Sequence, residues 1–146
     1  MRREYPMQPI VGVGAVIVQG RKLVLVKRGV EPGKGKWSVP GGAVELGEGV
    51  RDTAMREAKE ECGLDIELVG DKPMDAIDNM IVGENERLRY HYILLQFLAR
   101  PSGGTLRAGS DVTEVRWVSL EEVEKYNLTN TFLLFFRKHR QELEGL

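Results

Sequence analysis

Apolar positions along the chain fall into runs of different spacing, and each spacing predicts a different element. Residues 11–18 and 22–27 are dense in Val, Ile and Leu and are separated by Gln19-Gly20-Arg21, which predicts a hairpin of two strands. Residues 36–39 make a short strand that runs into a glycine-rich stretch. From Val50 the spacing changes: Val50, Ala54 and Ala58 recur every four residues and Gly63 follows, which predicts a helix from Val50 to Cys62 with a glycine stop. Residues 65–68 begin another strand, and the stretch up to Ile77 fits strand or loop. The polar residues 78–86 read as a loop, the natural place for substrate selection. Residues 87–99 alternate as a long strand, ended by Pro101 and the turn Ser102-Gly103-Gly104. Residues 112–118 make a last strand, and Ser119-Leu120-Glu121-Glu122 resembles a helix N-cap with acidic first-turn residues. Residues 129–144 read as a helix whose Phe132, Leu133, Leu134, Phe135 and Phe136 are apolar on too many sides for one packed face. Core burial is the expectation for that cluster, with a subunit contact as the sharper alternative.

No repeat, low-complexity tract or linker interrupts this order, so residues 1–146 are expected to form a single domain. Strands first, a helix between and a helix at the end predict an α+β protein, an α/β/α sandwich around a mixed β-sheet. With 21 basic and 22 acidic residues the net charge is −1, which gives no basis for bulk electrostatic capture of nucleic acid or an anionic membrane. No apolar run approaches a membrane span, and the basic N-terminal residues are not followed by the apolar stretch of a signal peptide. A single cysteine, Cys62, excludes a disulfide framework and a thiolate metal site. A cytoplasmic location is the default expectation, and Cys62 reads as a small, half-buried helix residue rather than a nucleophile.

The helix carries the chemistry. Glu57, Glu60 and Glu61 stand at i, i+3 and i+4, so three carboxylates project from one face. Glu61 falls nearly in line with Val50 and Ala54, which puts it at the edge of the buried stripe. Like charges at this spacing cost roughly 0.2–0.5 kcal/mol when exposed and more when partly buried, so the group calls for a cation. Oxygen donors with no His or Cys nearby favour Mg²⁺ or Mn²⁺ over zinc. A solvated Glu/Lys-rich face would be the usual reading of EAKEE, but Pro40-Gly41-Gly42 and Gly47-Glu48-Gly49 have no role beside a plain surface helix. Glycines there bring backbone carbonyls and amides close to a ligand.

Taken as spacing, residues 42–64 read Gly42, five residues, Glu48, seven residues, Arg56-Glu57, Ala58, Lys59, Glu60-Glu61, Cys62, Gly63, Leu64. This resembles the signature box of the Nudix hydrolases at every defining position. Seven fixed identities coincide by chance on the order of once in 10⁸ starting points, so the match is not accidental. The resemblance runs over most of the chain, about residues 11–123. It implies a metal-dependent enzyme that hydrolyses the pyrophosphate bond of a nucleoside diphosphate linked to another moiety. It further implies that the Gly41 backbone carbonyl joins the carboxylates around the metal and that Arg56 orients a catalytic glutamate. Glu57, Glu60 and Glu61 would supply most of the metal ligands, and Glu48 would support them through Arg56. The segments GVGAVIV, LVKRG and GSDVTEVRWVSLEEV look most like ADP-ribose pyrophosphatase-type members. That puts ADP-ribose or a nucleotide sugar first as substrate, ahead of an oxidised dNTP and then a dinucleoside polyphosphate. A sensor domain that binds a nucleotide sugar without cleaving it is the non-enzyme alternative; intact carboxylates and the lack of room for a DNA-binding module argue against it. A homodimer follows from the same resemblance and from the apolar surplus of residues 132–136.

Outside the box, Arg28 ends a strand near the glycine loop, where Nudix enzymes commonly hold a phosphate-binding Arg; a plain surface charge is an equal reading. Gly42 and Arg28 are the substrate-binding candidates, together with Trp37, which could stack on a base or simply pack in the core. Glu114 resembles the acidic residue that many members place near the metal, and Asp111 competes for that role. His91 reads as a structural histidine.

Overall fold

A computed structural model describes residues 2–146. The first strand, β1 (Ile10–Gln19), is buried on both faces along most of its length, because it lies between two helix layers. It pairs in parallel with β7 (Leu88–Gly104), from Ile10 opposite Tyr92 to Ile17 opposite Ala99. A strand enclosed on both sides needs a near-continuous apolar run, and that is why residues 11–18 do not alternate. Strand β2 (Lys22–Arg28) meets β1 only at Val18–Leu23 and Gln19–Lys22, around a two-residue Gly20-Arg21 turn with both φ values positive. Beyond that tip the expected hairpin splays open. β2 leaves to pair with β3 (Trp37–Ser38) and β8 (Val112–Ser119), while β1 pairs with β4 (Gly41–Ala43) and β7. The mixed sheet thus divides into two wings, and the gap between them holds the cavity described below.

The helix α1 (Val50–Cys62) has the bounds that the four-residue spacing predicts. It ends at Gly63, whose φ of 77° suits the left-handed stop and whose N–H donates to the Lys59 carbonyl. Ala54 packs on Val13 and Phe97, and Ala58 and Cys62 join Ala15, Ile17 and Val24. Small residues on this stripe bring the helix backbone close to the sheet, which is how its polar edge comes to face the glycine loop. On the opposite face, α2 (Asn130–Glu144) starts at Thr129, whose hydroxyl accepts from the Phe132 N–H at 3.4 Å. Phe132, Phe135, Phe136 and Leu143 fill a core with Val16, Val18, Leu23 and Leu25. The phenylalanine cluster is therefore core; of that run only Leu134, 58 % exposed, faces out. The apolar surplus expected to drive a homodimer is not on this helix.

Three expectations are corrected. The stretch read as a polar loop, 78–86, is strand as far as Val82: β6 (Asp75–Val82) pairs antiparallel with β7, from Asp75 opposite Gln96 to Val82 opposite Leu88. Its backbone groups are satisfied by β7, and its side chains alternate in exposure at a sheet edge, so composition alone looked loop-like. Only residues 83–87 turn. Next, β7 runs through Pro101 to Gly104 rather than stopping at residue 99, because β5 (Leu64–Leu68) covers its end. The register shifts between Asp65 and Ile66, opposite Pro101, and an irregularity of that kind accommodates a residue with no N–H. Finally, Leu120–Lys125 is a short 3-10 turn, with Leu120 and Val123 buried, and the Ser119 side chain caps nothing.

Candidate active site

The glycine loop and α1 face one another because β4 holds the loop against β1. Gly14 lies opposite Gly41 and Val13 opposite Gly42, and the Pro40 carbonyl accepts from the Ala15 N–H at 2.9 Å. A side chain at Gly42 would overlap the Glu57 carboxylate, so this position is glycine because an acidic group occupies its space. The Gly41 N–H donates to Glu61 Oε1 at 2.8 Å.

Arg56 cross-braces the acidic face. Its Nε donates to Glu48 Oε2 at 2.7 Å and its Nη2 to Glu48 Oε1 at 2.9 Å, a two-pronged pair. Its Nη1 donates to Glu57 Oε1 at 2.8 Å and to Glu60 Oε2 at 3.2 Å. Glu48 also accepts from the Thr53 hydroxyl at 2.7 Å and from the Glu45 N–H at 3.2 Å. These bonds, those of Arg56 first and then of Thr53, hold the Glu48 carboxyl down at about 2.

Glu57 and Glu61 lie in the opposite condition. Burial raises the Glu57 pKa in spite of Arg56. Burial pushes Glu61, 7 % exposed, up to about 8; the Gly41 N–H opposes this, while the charges of Glu57 and Asp111 add to it. Glu60 is half exposed. Glu57 and Glu61 thus sit in a corner where carrying both charges is unfavourable, with Glu60 on the same helix face and the charge of Asp111 acting on both, and all the donors are oxygen. Among the described residues no three acidic, His or Cys side chains are already drawn together as a finished cage. The donor chemistry nevertheless fits a hard divalent cation, whose charge would offset the burial and the repulsion that together raise Glu61.

A cavity of about 330 Å³ opens from this corner into the gap between the wings. Glu61 of α1 lines it together with Asp111 and Arg28, and so do Gly12 of β1 and Leu94 and Gln96 of β7. Set beside known proteins, residues 8–137 match the family model described as the NUDIX domain. The chain belongs to the Nudix family. It is thus a hydrolase of pyrophosphate bonds in small nucleotides, and Nudix hydrolases generally use divalent metal ions.

Similarity extends across much of the fold. An ADP-ribose pyrophosphatase of Methanocaldococcus jannaschii is 33 % identical over 119 residues, 82 % of this chain and 67 % of that protein. An RNA pyrophosphohydrolase of Novosphingobium aromaticivorans is 32 % identical over 132 residues, 81 % of each chain. Among solved structures, a MutT Nudix hydrolase from Burkholderia pseudomallei aligns at 29 % identity and a TM-score of 0.69, covering 87 % of this chain and 95 % of that one.

Not every candidate reaches the Nudix corner. Arg28 does: it lines the cavity, its Nε donating to the Pro32 carbonyl at 2.6 Å, and its charge acts on Glu61. Asp111 does too. Glu114 does not line the cavity; it pairs with Lys27 at 3.5 Å and Arg116 at 3.1 Å on the outside of β8. Trp37 lies in the core under α2, 5.1 Å edge-on to Tyr126, so it is packed rather than offered to a base. Cys62 is buried, donates to the Ala58 carbonyl and has its thiol pushed up to about 11, which leaves it inert. His91 is half-buried on β7 and takes no part in the cavity. The residue that spacing missed is Gln96. Its one sequence signal is a polar residue two and four places after Leu94 and Tyr92, on the same face of an apolar strand.

Among the described residues no helix is long and apolar enough to cross a membrane.

Proposed function

We propose that this protein hydrolyses ADP-ribose or a related nucleoside diphosphate sugar, releasing a nucleoside monophosphate and a sugar phosphate. The observation that carries the reading is the likeness, over 119 residues, to a protein named ADP-ribose pyrophosphatase. A cavity large enough for a nucleoside beside the acidic corner supports it. A second reading, attack on a 5′-triphosphate end, is favoured by the RNA pyrophosphohydrolase relative.

In this reading Glu57, Glu60 and Glu61 hold Mg²⁺ or Mn²⁺, with the Gly41 carbonyl as a further donor. A divalent cation held there would supply charge neutralisation on the pyrophosphate and a lowered pKa for the attacking water. Arg56 fixes Glu57 and Glu60 by two bonds from one nitrogen, so their oxygens do not have to be ordered when substrate arrives. Glu48 acts as a positioning residue: both of its oxygens are already taken by Arg56, Thr53 and the Glu45 N–H. Arg28 pairs with a phosphate oxygen at the cavity mouth. A carboxylate of this group, with Asp111 better placed than Glu114, takes the proton of the water. The enzyme works in the cytoplasm as a homodimer; the exposed Met80, Val82 and Leu88 beside the β6 edge are the apolar surface for that contact. Sedimentation as a monomer well above micromolar concentration would exclude it.

Product-resolved kinetics test the substrate. kcat/KM should be highest for ADP-ribose or another nucleoside diphosphate sugar across a set that includes GDP-mannose, dNTPs, diadenosine polyphosphates and a 5′-triphosphate RNA. A clear preference for either triphosphate would replace the reading.

A further inference from the structure

Four strands meet in one row beneath the cavity: Gly41 of β4, Gly14 of β1, Gln96 of β7 and Asp75 of β6. Gly14 carries no side chain, and the Gln96 amide fills the space, lying flat across β1; a Cβ at Gly14 would overlap its Oε1. Gln96 is 6 % exposed, and its Oε1 is fully enclosed without a hydrogen-bond partner, the one buried side-chain atom in that condition among the described residues. Folded proteins satisfy nearly all such oxygens, and an unsatisfied one inside a cavity points to a donor that arrives with a ligand. Immediately beside it the next row is Gly12 opposite Leu94, where the Leu94 and Tyr92 side chains lie over Gly12 and make an apolar floor.

This geometry accommodates a flat ring. The Gln96 amide lies over Gly14, one strand spacing, roughly 5 Å, from β4, where the glycine loop meets the carboxylates. We infer that Gln96 reads the base: its amide oxygen, held over Gly14, accepts a hydrogen bond from the amino group of a 6-aminopurine resting on the Gly12–Leu94 floor. The inference deepens the proposed function and rests on the cavity being the nucleotide site. A 6-oxopurine would set carbonyl against carbonyl at the same point, and a site built around one polar partner discriminates strongly against the analogue that lacks it.

Binding of AMP and IMP to the full-length protein, measured by calorimetry, tests this separately from hydrolysis. Wild type should bind AMP about tenfold or more tightly than IMP. Gln96→Met keeps the volume and removes the acceptor, so its preference should fall to within about twofold, through weaker AMP binding. Gly14→Ala displaces only the tip of a flexible side chain and should shift the ratio the same way. Equal binding of AMP and IMP by wild type overturns the inference, as does an unchanged ratio in Gln96→Met. Equal weakening of both nucleotides in Gln96→Met would assign the oxygen to a sugar hydroxyl and overturn it too. Hydrolysis of ADP-ribose and inosine diphosphoribose by the same variants separates the two layers. A Gln96-dependent AMP preference in an enzyme that cleaves only triphosphates would keep the base reading and remove the substrate. Efficient ADP-ribose cleavage with an unchanged ratio would do the reverse.

Discussion

The two ends of the cavity are built by different means. At the α1 end, Glu48, just before the helix, and Arg56, Glu57, Glu60 and Glu61 on it fall within fourteen consecutive positions, and Arg56 alone donates four hydrogen bonds to Glu48, Glu57 and Glu60. Charge is concentrated there and is already oriented. At the β7 end, Gly14, Gln96 and Asp75 are neighbours only through strand register, and the Gln96 amide oxygen is uncharged and unbonded. The first end suits chemistry common to any pyrophosphate; the second suits choosing which nucleotide is attached to it. The lesson is that groups acting on the shared part of a substrate can be fixed by local sequence, while groups acting on its variable part need long-range pairing.

Removing the metal should separate the ends most sharply. EDTA is expected to abolish turnover and added Mg²⁺ or Mn²⁺ to restore it, while the AMP-over-IMP preference persists. Full activity in a metal-free preparation would break the comparison. A smaller loss is expected from Arg56→Lys, which replaces a planar fork by a single ammonium and cannot hold Glu48 and Glu57 together. kcat should fall about 10–10²-fold and the melting temperature by about 2–4 °C, with the base preference unchanged. Near-normal kcat would mean that the brace is decorative.

The smallest effect concerns the support under the β7 end. Asp75, opposite Gln96, accepts from the buried His139 at 2.8 Å and from Lys138 at 3.0 Å, and Glu142 lies 2.9 Å from the other His139 nitrogen. Burial opposes protonation of His139, but these carboxylates outweigh it and raise the pKa above its ordinary 6.5. Its contribution to stability is therefore fully present below pH 6.5 and is lost as pH rises through the raised value. Wild type should lose about 1–3 °C of melting temperature across that interval, and His139→Gln should not. A melting temperature independent of pH there would detach α2 from this end.

Legibility in the sequence follows the same division. The helix bounds, the Glu57/Glu60/Glu61 face and the near burial of Glu61 could be read from four-residue spacing, because a helix brings sequence neighbours into contact. The splay of β1 from β2 could not: both are apolar runs, and the sequence does not say that each has a better partner in β7 or β8. The same blindness hid β6 and left Trp37 open between a base and the core. An aromatic beside a glycine loop looks available to a base, but the second wing turns it under α2. Glu114 and Asp111 differ by three residues, and a register shift between Lys27 and Arg28 governs the pairing at that end of β8.

Glu61 gives the most direct test of the claim that the α1 carboxylates form a cation site rather than a structural face. Without metal it keeps its proton to about pH 8 in the folded protein, against 4.5 for an ordinary glutamate. The stability it contributes is fully present below pH 4.5 and is lost as pH rises through about 8. Glu61→Gln suffers no such loss, so at pH 8 the metal-free variant should melt about 2–4 °C above wild type. Its turnover with Mg²⁺ should nevertheless fall roughly 10²–10⁴-fold. Lys59→Gln, on an exposed lysine paired with Asp65 at 3.2 Å, should change neither quantity and serves as the control. The decisive measurement is the pair of metal-free melting temperature and turnover for Glu61→Gln. A more stable, nearly inactive variant is the expected result; near-wild-type turnover, or an unfolded metal-free protein, would contradict it.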